Sequence, residues 1–186
     1  VWEEAAAQIH DWKERLGFSV PVSVNVSRID MYDPKLLEVF REILKDNEIA
    51  PGDLNLEITE SAYINATDSM MEEIRKLKNL GLKISIDDFG SGYSSLEMLG
   101  SMHADVVKFD KKFIDNTDNE YGYNILKSIC QMMEVLGAKI IVEGAETGQQ
   151  IDILKEIGCR YVQGYYYYEP LTPKEFTEAV LNDVFE

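Results

Sequence analysis

Six positions along the sequence carry polar residues at intervals that suit convergence on one site: Asn25, Glu57, Asp87 with Asp88 beside it, Lys108, Glu143 and Gln163. Each lies at the end of a short stretch that reads as a strand. The steps between them, 32, 30, 21, 35 and 20 residues, match the span of a strand plus its crossover helix. Side chains spaced in this way meet at the carboxyl-terminal mouth of a set of parallel strands, which is where βα barrels keep their active sites.

Four carboxylates and an amide gathered at one mouth repel one another and are costly to bury unless a cation neutralises them. Oxygen donors without Cys or His suit Mg²⁺ or Mn²⁺, and the adjacent Asp87 and Asp88 are placed to bridge two such ions. Two ions that clamp the attacking and leaving oxygens are a recurring solution for phosphodiester hydrolysis, and a lysine such as Lys108 can orient or acidify the water. A single acid at a strand end is more often a helix N-cap or a solvated loop residue. Recurrence of a polar group at every strand end is what points to chemistry here.

The elements that must position these residues alternate. Trp2, Ala5, Ala6, Ile9, Trp12 and Leu16 recur at helical spacing and stop at Gly17. Val20 to Val26 reads as a strand, and Asp33-Pro34 reads as the N-cap and first-turn proline of a helix carrying Leu36, Leu37, Phe40 and Leu44. Strands follow at Leu54 to Ile58, Lys83 to Ile86, Val106 to Phe109, Lys139 to Val142 and Tyr161 to Val162. Helices are expected over Thr67 to Leu80, Tyr121 to Leu136 and Thr147 to Ile157, with a final one opened by the capping box Thr172-Pro173-Lys174-Glu175. Leu80 to Asp87 aligns with Leu136 to Glu143 at an offset of 56, about two βα units. The pattern is that of an α/β chain of parallel strands, either a barrel or a doubly wound sheet. No glycine-rich dinucleotide or P-loop fingerprint follows any strand.

Composition bounds the partners. Lys plus Arg number 18 against 34 Asp plus Glu, a net charge of −16, which argues against binding to DNA or to an anionic membrane surface. With 45% hydrophobic residues the chain can build a substantial core, and no window is apolar enough to span a bilayer. Cys130 and Cys159 lack zinc-site spacing and read as reduced packing residues. His10 and His103 have no companion at ligand spacing. The tyrosine run Tyr165 to Tyr168 reads first as wall and rim packing, and the Met70-Met71 and Met132-Met133 pairs as core.

Six segments taken together resemble a known family. Val24-Asn25-Val26-Ser27, Leu56-Glu57-Ile58-Thr59-Glu60-Ser61, Ile86-Asp87-Asp88-Phe89-Gly90-Ser91-Gly92-Tyr93-Ser94-Ser95-Leu96, Val107-Lys108-Phe109-Asp110, Val142-Glu143-Gly144-Ala145-Glu146 and Gln163-Gly164-Tyr165 resemble, in order, the motifs of the EAL domain. The resemblance covers nearly the whole chain. It implies a βα (TIM-type) barrel and a bacterial phosphodiesterase that linearises cyclic di-GMP to pGpG with Mg²⁺ or Mn²⁺, as two ions. By resemblance Asn25, Glu57 and Asp87 are metal ligands, and Asp88 serves the second ion. Lys108 holds the attacking water, Glu143 is the general base or a second-metal carboxylate, and Glu60 anchors the loop from Asp87 to Leu96. Glu146, Gln163 and Tyr165 complete the rim. The alternative function is a catalytically silent EAL domain that senses cyclic di-GMP or serves as a protein-interaction scaffold.

One departure stands out: no Glu-Ala-Leu motif is present, and Glu3-Glu4-Ala5-Ala6 lies on the opening helix. Six βα units are read where a complete barrel has eight. The expectation is therefore a single EAL domain over residues 1–186, incomplete at its N-terminus and lacking a further metal-ligating Glu and a phosphate-binding Arg. Other expectations are a cytoplasmic location, an upstream regulatory or diguanylate cyclase-like (GGDEF) domain, self-association as a homodimer, and poor activity of the segment alone.

Overall fold

Parallel pairing joins the strands in the order in which they occur, β1 (Val22–Asn25), β2 (Leu54–Thr59), β3 (Lys83–Phe89), β4 (Val106–Phe109), β5 (Lys139–Glu143) and β6 (Tyr161–Gln163). The structure, a computed structural model, describes residues 1–90 and 104–185. Ser91 to Leu96 of the long motif, and His103, lie outside the described residues. Consecutive parallel strands in sequence order require a crossover each time, and right-handed crossovers curl the sheet and place the helices on its outer side. The result is an α/β architecture with the curl of a partial TIM-type barrel.

The helices are α1 (Trp2–Leu16), α2 (Leu36–Asp46), α3 (Glu60–Ile64), α4 (Asp68–Asn79), α5 (Lys112–Asp115), α6 (Glu120–Val135), α7 (Gly148–Ile157) and α8 (Pro173–Phe185). Their starts follow local chemistry. Thr67, Asn119 and Thr147 accept the N–H groups of Met70, Gly122 and Gln150, and Gln150 returns a bond from its side chain to the Thr147 N–H. The expected box at α8 also forms, with Glu175 accepting from the Thr172 N–H at 2.8 Å and Thr172 accepting from the Glu175 N–H at 3.3 Å. The Asp33-Pro34 expectation is corrected: Asp33 Oδ1 takes the Lys35 N–H at 2.8 Å in a turn, so regular helix begins only at Leu36. Gly158 closes α7 at φ 91°, the left-handed conformation that glycine adopts without a Cβ penalty.

Strand residues two apart share a face, and this sorts core from site. Leu54, Leu56 and Ile58 of β2 are buried with Ile84, Ile86, Val107, Phe109 and Val142 in one cluster that also takes in Phe40, Met70 and Met133. Asn55, Glu57 and Thr59 alternate with them and are only half-buried. At the two ends of the sheet the chain meets itself. Trp12 of α1 stacks on Phe176 of α8 with ring centroids 4.8 Å apart, and its indole N–H donates to Thr177 Oγ1 at 2.9 Å. Among the described residues, no helix is long and apolar enough to cross a membrane.

Candidate active site

The register brings the polar residues to one end of one face. Asn25 pairs with Glu57, Thr59 with Asp87, Lys108 with Ile141, and Glu143 with Gln163. One irregularity matters most. Ile86 pairs with Val107 and Phe89 with Phe109, so Asp87 and Asp88 together face the single residue Lys108. This is a β-bulge, and Asp88 sits in it at φ 54°, a left-handed conformation that aspartate tolerates better than most side chains. In a regular strand two adjacent aspartates would point to opposite faces. The bulge instead lets Asp87, Asp88 and Glu143 each offer a carboxylate oxygen, all within 4.8 Å of one another.

Lys108 is the electrostatic centre. Its side chain is 9% exposed, and Nζ lies 2.9 Å from Glu143 Oε1, 3.1 Å from Glu57 Oε1 and 3.1 Å from Asp87 Oδ1. Burial alone would draw the ammonium below its ordinary value. The hydrogen bond to Glu143 and the charges of Glu57, Glu143 and Asp87 outweigh burial and hold Lys108 well above it, so it stays charged. Burial pushes the Glu143 carboxyl up, with the charges of Asp87 and Glu57 adding to it and Lys108 opposing. A carboxyl raised in this way is a better proton acceptor at neutral pH than a solvated one.

One lysine against four acids leaves negative charge in excess. Asp87 Oδ1 is buried and, despite its ion pair with Lys108, makes no hydrogen bond. An unaligned buried carboxylate oxygen beside two further carboxylates is a donor set that fits a hard divalent cation.

The surrounding residues divide into a support and two cavities. Buried Glu60, the first residue of α3, accepts the Gly90 N–H at 2.7 Å, directly behind the bulge. On the β6 side a cavity of about 530 Å³ is lined by Gln163, Tyr165, Glu146 and Lys111, with Lys111 Nζ 2.5 Å from Glu146 Oε1. On the β1 side a second cavity holds Asn25, Ser27, Arg28, Thr59 and Ser61. Asn25 is exposed, and its backbone carbonyl accepts from the Trp2 indole at 2.9 Å. Glu57, Asp87, Asp88, Lys108 and Glu143 are thus brought together at one centre, while Asn25, Glu146, Gln163 and Tyr165 lie around it. Lys111 and Arg28, the cations of the two cavities, were not picked out in the sequence. Their positions just after β4 and β1 were the available signal.

Comparison with known proteins bears on the family and the fold. The EAL domain family matches over residues 1–170. The chain is 36% identical over 151 residues to the cyclic di-GMP phosphodiesterase NbdA of Pseudomonas aeruginosa, covering 81% of this chain and 19% of that protein. It superposes on the PaMucR phosphodiesterase in its c-di-GMP complex with a TM-score of 0.86 and 31% identity, over 94% of this chain and 71% of that one. It also superposes on a manganese/cy-diGMP complex of Klebsiella pneumoniae BlrP1, with a TM-score of 0.78 and 26% identity, over 88% of this chain and 42% of that one. The chain spans about a fifth of the length of the curated relatives it matches first.

Proposed function

Because the chain belongs to the EAL domain family, we propose that it hydrolyses cyclic di-GMP to pGpG as a metal-dependent phosphodiesterase, within a longer bacterial signalling protein. The observation that carries the reading is the Lys108 ammonium ion-paired with Glu57, Asp87 and Glu143, with Asp88 turned by the bulge toward the same point. Such a centre has acids for two cations, a fixed positive charge and a raised carboxyl.

Glu57, Asp87 and Asp88, with Asn25 from the neighbouring strand, would hold Mg²⁺ or Mn²⁺. When bound, the ions supply Lewis-acid polarisation of the phosphate and a lower pKa for water. Lys108, permanently charged and held by three acids, orients the attacking water. Glu143 accepts its proton. The water oxygen bonds to phosphorus, and the P–O3′ bond opposite it breaks. The O3′ leaving group takes up a proton from solvent, and the ring opens to linear pGpG. Gln163, Tyr165 and Glu146 form the rim on which a guanine can lie, with Tyr165 offering a ring face. Residues 1–186 act as one such domain, and partner domains such as a diguanylate cyclase-like one, homodimer formation and a cytoplasmic location belong to the same proposal.

The test is cyclic di-GMP cleavage followed by chromatography of pGpG, with Mn²⁺ added, on the protein and on its Glu57→Gln variant. Turnover abolished by the substitution supports the hydrolase. Binding of cyclic di-GMP with no turnover under any divalent cation would assign the chain to the sensing role instead.

A further inference from the structure

The cavity on the β1 side of the mouth holds more than Asn25. It measures about 530 Å³, like the cavity beside Gln163 and Tyr165 on the other flank of the centre, and Arg28, Asp30, Thr59, Ser61 and Asn65 are among its walls. Acids outnumber bases 34 to 18 in this chain, and Arg15, Arg41 and Arg75 each pair with a carboxylate three or four residues away. Arg28 is exposed and makes no ion pair among the described residues. It is nevertheless held in place, because Nη2 donates to the Asn65 carbonyl at 3.3 Å and Tyr32 Oη lies 3.5 Å away. That leaves the Nε and Nη1 donors, unbonded among the described residues, for a ligand.

Asp30 decides the chemistry of that ligand. Its Oδ2 accepts the Ser27 N–H at 2.8 Å and its own N–H donates to Ser27 Oγ at 3.2 Å, so the loop after β1 is fixed and the carboxylate keeps lone pairs to spare. A phosphate beside Arg28 would face this negative charge. A group that offers acceptors next to donors suits both residues, and guanine is such a group: O6 and N7 accept, while N1–H and the N2 amino group donate.

We propose that Arg28 and Asp30 read one guanine of cyclic di-GMP in the β1-side cavity, Arg28 donating to O6 and N7 and Asp30 accepting from the N1 and N2 edge. The inference rests on cyclic di-GMP being the ligand of the mouth. That ligand carries two identical guanosines joined through two phosphates. With one phosphate at the centre beside Lys108, one base lies toward Tyr165 and the other toward Arg28. Asn25, assigned to the ions, is three residues before Arg28, so at most about 11 Å of chain separates the ion centre's edge from the base reader. The planar fork of arginine engages O6 and N7 together, which the point charge of a lysine does not.

The experiment measures binding by calorimetry with Ca²⁺ present, so that it needs no turnover. The ligands are cyclic di-GMP and its 7-deaza analogue, in which a carbon replaces N7 of each guanine and both phosphates are kept. The original protein should bind the analogue about tenfold more weakly than cyclic di-GMP. Arg28→Ala should bind cyclic di-GMP about tenfold or more weakly and no longer distinguish it from the analogue. Arg28→Lys should behave like Arg28→Ala. Where turnover is measured with Mn²⁺, the loss in Arg28→Ala should fall on KM, with kcat changed far less. Full affinity in Arg28→Lys would assign Arg28 to a phosphate and overturn the proposal. So would an Arg28→Ala variant that still rejects the analogue, because N7 would then be read elsewhere. These outcomes are separate from the hydrolase reading: binding that follows the expected pattern without turnover would refute hydrolysis alone, and turnover with an Arg28→Ala variant of unchanged affinity would refute the guanine reader alone.

Discussion

Glu60 Oε2 accepts the Gly90 backbone N–H at 2.7 Å, so a buried carboxylate on α3 fixes the residue that follows the Asp87-Asp88 bulge. Glu60 belongs to the element after β2, and Gly90 to the end of β3. The bond therefore couples two neighbouring strand ends at the mouth, and it holds the backbone just where the two aspartates must be presented.

Gly90 has no room for a side chain. Its φ is 89°, and an added Cβ would stand 2.1 Å from Phe113 Cε2, a ring itself packed on Phe89 and Phe109. Gly90→Ala should cost about 2–4 kcal/mol, from left-handed strain plus overpacking. Urea denaturation measures this, and a variant within about 0.5 kcal/mol of the original would mean that the bulge region adapts freely.

Lys108→Ala should remove the one cation that the described residues place among Glu57, Asp87 and Glu143 and leave three partly buried acids facing one another. Without divalent ions the loss should be about 3–5 kcal/mol, the usual cost of breaking a buried pair from one side. Mn²⁺ should restore more stability to the variant than to the original protein, because it takes the place of the lost charge. In kinetics kcat should fall much further than KM changes, since Lys108 is assigned to the water. Equal losses in rate and in cyclic di-GMP affinity would move Lys108 to substrate binding.

Asp88→Asn and Asp88→Ala should separate backbone from chemistry. Asparagine tolerates φ near 54° as aspartate does, so Asp88→Asn should keep the melting temperature within about 2 °C while weakening Mn²⁺ binding about tenfold or more. Asp88→Ala should lose ion affinity and add a stability cost of about 1 kcal/mol from the strained φ. Calorimetric titration with Mn²⁺ and thermal unfolding read the two effects. Unchanged Mn²⁺ affinity in both variants would take Asp88 out of the ion site.

Divalent ions should be obligatory for turnover. Mg²⁺ or Mn²⁺ should support it, and Ca²⁺ should inhibit, because a larger ion with looser geometry places its oxygens poorly for in-line displacement. Excess chelator should abolish activity and lower the melting temperature together. Cleavage that persists in chelator would refute the metal assignment.

The reach of the sequence can be judged from particular residues. The βα period placed Glu57, Asp87, Lys108 and Glu143 at strand ends, and they do meet at one lysine, because a period of two along parallel strands leaves little freedom about which face a residue takes. The strands run further than their apolar runs: β2 ends at Thr59 and β3 at Phe89, since ladder bonds to neighbouring strands continue under polar side chains. The bulge at Asp87-Asp88 left no trace in composition. It is set by how β3 and β4 register, a tertiary fact. The five-residue helix α3 was equally hidden, being too short for a periodic signal, and its start depends on Thr59 accepting the Ala62 N–H.

The sheet has two edges among the described residues: β1 pairs only with β2, and β6 only with β5. Unpaired N–H and C=O groups along an edge are a template for another strand. The surface there does little to discourage pairing, because Tyr161, the first residue of β6, is about half exposed, and β1 presents Ser23 to solvent without a charge. The α1–α8 contact through Trp12 and Phe176 holds the outer helices together but supplies no strand to either edge. The 186-residue chain by itself should therefore self-associate in a concentration-dependent way. Ser23→Lys should weaken that association, since an edge lysine would have to be desolvated when a second strand pairs. Light scattering coupled to size exclusion, across a hundredfold range of concentration, measures both. A monodisperse monomer throughout would show that the edges are protected by their own geometry, and a Ser23→Lys variant that associates as strongly as the original would move the contact from β1 to the β6 edge.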